Sequence, residues 1–352
     1  MKHAQAFRWP AAAVLIVPVL LAAVLIVPVL LAACALPQAA APTGAPSPTA
    51  PPLANEAIRT VTEVSSPTRY RAPFDAALSP DGAQVYFTAE ADAGDGVFRA
   101  VPGGDAEPLA QGAPLVEPRG LALSSDGSTI YIADQAAPDS AGVGQVFSLP
   151  IAGGAPAALP GAAGYRPRAL AVVGEGGADV LYIVGSRPDD GRPVLLRVSV
   201  GSDSATIVAS GSPMVEPSGV TVAGDGTILV ADRGAAGEGR GSLFRVRGSS
   251  VERIASGFLV GGPVVGVALT FDEQAVLVSS LEEQTRSAQA LIVDLKSLGQ
   301  ARFNNVIGAN SGAGGLQRAA DRNIFVWADS LPPRPIRPRP AGEGSSVYTL
   351  EP

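Results

Sequence analysis

Histidine and cysteine are almost missing from this 352-residue chain: the only histidine is His3 and the only cysteine is Cys34. Beyond residue 34 there can be no Ser-His-Asp triad, no Cys-His pair, no zinc site of His or Cys ligands and no intrachain disulfide. Lysine is scarce too, with Lys2 and Lys296 alone, so arginine carries the positive charge. Aromatics make up 5% of the residues and charged side chains 16%, whereas Gly 41 and Pro 32 are abundant. That balance suits many short strands and tight turns better than long helices. Any chemistry must come from carboxylates, arginine, amides, hydroxyls or a hard cation held by oxygen. Acids outnumber bases, 32 to 25. A basic footprint is therefore lacking, which excludes nucleic acid as a partner.

What is present begins with an address. Lys2 and Arg8 precede an apolar run in which residues 12–21 recur unchanged at 22–31. The run is long for a signal-peptide core and close to the roughly 20 residues that span a bilayer. It ends in Leu31-Ala32-Ala33-Cys34, which resembles the lipobox of bacterial lipoproteins. The resemblance implies a signal peptide over 1–33, cleavage before Cys34 and lipid on that cysteine. The alternative is an uncleaved anchor helix, against which Pro18 and Pro28 count. Both place the remainder outside the cytoplasm, held to a membrane. Residues 34–55 are rich in proline and alanine, cannot form a core and read as an extended tether. Without residues 1–33 the chain keeps 23 basic against 32 acidic side chains, a formal −9.

From residue 56 to 352 one unit repeats. Its clearest copy is Glu216-Pro217-Ser218-Gly219-Val220-Thr221-Val222, an Asp225-Gly226 turn, and Ile228-Leu229-Val230-Ala231-Asp232. Two short strands joined by a tight turn are expected there. Taking Asp75, Gly120, Ala169, Gly219, Gly266 and Gly315 as equivalent, the steps are 45, 49, 50, 47 and 49 residues. Each copy has room for two further strands, such as Gln145–Leu149 and Ala157–Leu159. Four strands per such period is what a propeller blade requires, and the small residues suit strands that converge on an axis. The expected fold is all-β, a six-bladed β-propeller with four strands per blade. The last copy stops at its third strand, Ser346–Leu350. The strand over Ile58–Val64 is expected to complete it and close the ring.

With their Pro-x-Gly openings and Ala-Asp strand ends, these copies resemble NHL-type and TolB-like six-bladed propellers and, more loosely, the gluconolactonase and SMP-30 group. Such rings host both binding and catalysis, so the resemblance implies architecture rather than activity. The quinone-dependent sugar dehydrogenases, streptogramin lyases and paraoxonases share the ring but rely on a histidine, and none occurs here beyond His3.

Two sets of repeated aspartates lie at opposite ends of the strands, roughly 20 Å apart. Asp81, Asp126, Asp225, Asp272 and Asp321 sit in the turns, where Asp-Gly chemistry explains them. Asp134, Asp232 and Asp329 end second strands, on the face where the chain reaches its first strands and where the longest loops fall. For each, the plain structural role is to accept hydrogen bonds from loop amides. Glu117, Arg119, Arg168, Glu216, Gln317 and Arg318 are expected on the same face. The candidate ligand-binding set is therefore Glu117, Arg119, Asp134, Arg168, Glu216, Asp232, Arg318 and Asp329. The last loop also carries Arg334, Arg337 and Arg339 among prolines, a stiff basic finger or a solvated cap.

Binding of a protein, glycan or small-molecule ligand on this face is favoured, without catalysis. The alternative is a calcium-dependent lactone or ester hydrolase, implied by the looser resemblance, in which the cation polarises a carbonyl and activates water. The ligand positions of that group correspond here to Arg119-Gly120 and Ser218-Gly219. An arginine there repels a cation, leaving Glu117, Glu216 and Asp232 as the residues that would hold Ca2+.

Overall fold

Every copy of the repeat folds as short antiparallel strands, because β-branched and aliphatic residues alternate with small ones between Asp-Gly and Gly-rich turns. The computed structural model describes residues 60–65, 69–139, 142–304, 312–329 and 346–351. All of them belong to one compact unit, Pro46–Pro352. The apolar N-terminal run, Cys34, the tether and Arg334, Arg337 and Arg339 lie outside the described residues. Among those described there is no α-helix, only one 3-10 turn at Pro160–Ala162.

The chain opens with β1 (Thr60–Ser65). A first sheet follows, β2 (Pro73–Leu78), β3 (Val85–Ala89), β4 (Gly96–Ala100) and β5 (Glu107–Gln111), paired in that order. The second comprises β6 (Pro118–Leu123), β7 (Thr129–Asp139), β8 (Gly142–Pro150) and β9 (Ala157–Ala158). The third comprises β10 (Arg166–Glu175), β11 (Ala178–Ser186), β12 (Pro193–Ser199) and β13 (Thr206–Ser210).

The next two sets are β14 (Pro217–Val222), β15 (Ile228–Asp232), β16 (Arg240–Arg247) and β17 (Ser250–Leu259), then β18 (Val267–Leu269), β19 (Ala275–Leu281), β20 (Ala288–Asp294) and β21 (Gln300–Asn304). They form one eight-stranded sheet rather than two separate ones. A single residue pair, Leu259 with Leu281, joins β17 to β19, and both leucines are buried in the same apolar cluster. The final sheet is β22 (Leu316–Arg318), β23 (Phe325–Ala328) and β24 (Val347–Glu351), completed by β1. Thr60 opposes Glu351 and Ser65 opposes Val347, so the early strand does pair with the last.

The first strands neighbour one another in chain order, β2, β6, β10, β14, β18 and β22, and β22 returns to β2. Glycine permits that approach. A Cβ on Gly219 would overlap the Val265 carbonyl, and one on Gly315 would overlap the Asp75 carboxylate. Outward from these strands, each apolar cluster is shared by two neighbouring four-strand sets. Val97 and Tyr86 of the first sheet meet Ile130 and Phe147 of the second. Val64, Val326 and Val347 of the last sheet meet Phe87 and Phe98 of the first. A buried side chain of this size contributes about 1.5–3 kcal/mol, so no sheet keeps its stability without both neighbours.

Candidate functional site

Proline sets the geometry of the loop-bearing end. It cannot donate to a ladder and so occupies the first position of a strand. Pro73, Pro118 and Pro217 open β2, β6 and β14 in this way, and Pro167 follows Arg166 at the start of β10. Directly after each, the register slips by one residue. The unpaired residues are Phe74, Arg119, Arg168 and Ser218, one on each of four neighbouring first strands. A bulge re-aims the side chain it carries. It brings the Arg119 guanidinium 4.0 Å from the centre of the Phe74 ring.

Asp134 and Asp232 fix the chain just before two of these bulges. Asp134 accepts the N–H groups of Val116 at 2.8 Å, Glu117 at 3.0 Å, Ala136 at 3.0 Å and Ala137 at 2.8 Å. Asp232 repeats the arrangement with Val215 at 2.7 Å, Glu216 at 3.0 Å and Gly234 at 2.9 Å. Asp329 accepts the Gly312 N–H. All three carboxylates are buried. They anchor loops through charge-assisted hydrogen bonds, each worth about 1.5–3 kcal/mol. The turn aspartates do the same job at the other end. Asp126 accepts from Ser124 and Ser128, which holds its carboxyl down to about 2.

The clamped loops present charge outward. Glu117 accepts from Arg119 at 3.1 Å and from Gln135 Nε2 at 2.6 Å. Glu216 faces two arginines, Arg168 at 3.7 Å and Arg233 at 3.5 Å. The side chains of Arg119 and Arg168 are only 13% and 21% exposed, against 39% and 44% for Glu117 and Glu216. Burial lowers the Arg168 pKa, and Glu216 offsets part of the effect. Two buried atoms, Arg119 Nε and Ser218 Oγ, have no hydrogen-bond partner among the described residues. Val116 and Val215 stand exposed beside the glutamates.

Glu117, Arg119, Asp134, Arg168, Glu216 and Asp232 therefore gather at the loop end, the aspartates beneath and the other four towards solvent. Arg318 does not join them. It lies three residues past Gly315, by which point β22 has crossed the sheet, and it pairs with Phe325 at the turn end. Among the described residues no three His, Cys, Asp or Glu side chains gather into a metal-holding group, and Glu117, Glu216 and Asp232 do not form one. Each of the two glutamates is instead committed to arginine, so these residues do not fit Ca2+.

Three residues of the structure escape a reading of the sequence. Phe74 and Ser218 matter through their bulge positions, and Arg233 through its reach to Glu216. The pattern Gly-x-Pro-x-Val-Glu-Pro-x-Gly, shared by residues 112–120 and 211–219, is the signal that marks these two loops as one device. The segment from Asp134 to Gly144 on this face is largely hairpin, since β7 and β8 pair on to Asp139 and Gly142.

No protein-family model and no curated protein matches the sequence. Solved structures do. A putative TolB from Agrobacterium tumefaciens superposes with a TM-score of 0.54 at 16% identity, covering 79% of this chain and 90% of its own. The nidogen/laminin complex gives 0.53 at 16% identity, covering 70% and 85%. A luciferin-regenerating enzyme gives 0.53 at 9% identity, covering 83% and 95%. TolB and nidogen are β-propeller-like, and the all-β chain of antiparallel four-stranded sets shares that fold.

Proposed function

We propose that the chain is an extracytoplasmic six-bladed β-propeller, tethered through lipid on Cys34, that binds a protein partner on its loop-bearing face. The eight-stranded sheet counts as two blades, because only one residue pair bridges its halves. The observation that carries the binding role is the pair of aspartate-clamped loops. They hold Glu117, Arg119, Arg168, Glu216 and Arg233 in a fixed pattern of both signs beside exposed Val116 and Val215. Such a mixture suits a polypeptide surface, with apolar contact at the centre and charge pairs setting orientation. Exposed ion pairs of this kind add little stability to the fold itself. The nidogen structure is itself a complex with another protein, laminin.

Photo-crosslinking residues at positions 116 and 215, in the full chain in its host, test this reading. Adducts to one protein are expected from both positions and not from position 271 at the turn end. Arg119→Glu with Arg168→Glu should reduce them at least tenfold. Adducts of a glycan or small molecule alone, or equal adducts from position 271, would replace the proposal.

A further inference from the structure

At the opposite end the six first strands spread apart around a cavity of about 230 Å³. Its volume is the share of roughly eight waters. Leu123, Val172 and Val222 form its wall and are only half-buried, so apolar surface faces that water. Gln317 and Arg318 also line it, and Gln317 Nε2 is tied to Asp75 at 3.1 Å and to the Leu121 carbonyl at 2.6 Å.

Arg318 is the unusual group. Its Nε donates to the Leu269 carbonyl at 3.1 Å, and its Nη1 to the carbonyls of Ala319 at 2.7 Å, Ala320 at 3.3 Å and Arg322 at 3.3 Å. The guanidinium also stacks 5.0 Å from the centre of the Phe271 ring, which is 54% exposed. These contacts hold it in one orientation. Yet among the described residues no carboxylate pairs with it, and Nη2 has no acceptor. Burial lowers its pKa, with Glu273 pulling the other way. A fixed, partly desolvated and unpaired cation on an aliphatic wall is what an anionic head with an apolar body requires.

We propose that this funnel is a binding site for a small aliphatic monocarboxylate, its carboxylate on Arg318 Nη2 and its chain against Leu123, Val172 and Val222. Glu273 stands on the rim, both oxygens held by the Gly224 N–H at 3.1 and 2.9 Å. Its charge repels a second negative charge, so dicarboxylates and phosphate are disfavoured. The site stands apart from the loop-bearing face and does not depend on what binds there.

Hexanoate, matched to the volume with about eight non-hydrogen atoms, is the probe. Calorimetric titration of the purified full-length chain should show saturable one-to-one uptake, with adipate, inorganic phosphate and hexylammonium at least tenfold weaker. Arg318→Gln should weaken hexanoate at least tenfold. Because that change also removes four carbonyl contacts, Val222→Trp supplies an independent block, filling the funnel while Arg318 stays in place. Glu273→Gln should bring adipate to within a few-fold of hexanoate. No saturable uptake, equal uptake of hexylammonium, or uptake indifferent to both Arg318→Gln and Val222→Trp overturns the proposal.

Discussion

Asp75 occupies a position that the other copies fill with glycine or alanine, and it is fully buried where the first, second and last sheets meet. Its Oδ1 accepts the Ala76 N–H at 2.9 Å, and its Oδ2 accepts the Leu121 N–H and Gln317 Nε2, both at 3.1 Å. Burial outweighs these three donors and pushes the carboxyl up to about 7, from an ordinary 3.8. Between those two values the folded chain binds more protons than the unfolded one, so this group's contribution to stability falls as pH rises. The slope is at most about 1.4 kcal/mol per pH unit, and the loss levels off above pH 7. Asp126 acts in the other sense and only at lower pH, since its folded pKa lies near 2 and its contribution fades as pH falls through that value. Urea midpoints measured from pH 4.5 to 8 should therefore decline in the wild type and decline less in Asp75→Asn. Identical slopes would show that Asp75 titrates normally. The sequence marks this position, because a charged residue interrupts a column of small ones. It does not reveal which donors surround it, since Leu121 and Gln317 are brought there from 46 and 242 residues away.

Among elements, β1 has the largest consequence for its length. It completes the last sheet through five residue pairs with β24, buries Val64, and its Glu63 accepts from Ser346 Oγ at 2.6 Å. Four or five backbone hydrogen bonds at about 1 kcal/mol each, with one buried valine, come to roughly 6 kcal/mol. A chain lacking residues 60–65 should melt roughly 10–20 °C lower. It should also elute as larger species, because the open edge of β24 invites pairing. Adding the Thr60–Ser65 peptide should reverse both effects. An unchanged melting temperature would mean that β1 merely rests against the sheet. This pairing was readable beforehand, since a repeat that stops at its third strand needs a fourth. The bulges were not, because Pro-Arg-Gly and Pro-Ser-Gly look like ordinary strand openings until the partner register is known. Nor was the bridge between β17 and β19, which depends on how far two leucine-ended strands happen to run.

At the scale of the molecule, the described residues form six apolar clusters: five span two adjacent sheets, the last sheet reaching back to the first, and one joins the two halves of the eight-stranded sheet. Repeat spacing carried that architecture, because a period of four strands allows few other arrangements. It also placed the turn and strand-end aspartates correctly at opposite ends of the strands. It misplaced Arg318 by treating a three-residue strand as if its far end were its beginning. The proposed tether has its own consequence. Cys34→Ser should abolish incorporation of labelled palmitate and move the protein from the membrane to the soluble fraction. Membrane retention of the variant after the label is lost would mean that the apolar run itself serves as the anchor.

The position of β1 also determines how such a tether would transmit force. A pull applied upstream of Thr60 enters the described residues at the outer edge of a sheet, beside Glu351. Along the strand axis it strains all five pairs of that seam in shear at once. Across the axis it peels them one by one from Thr60 inward.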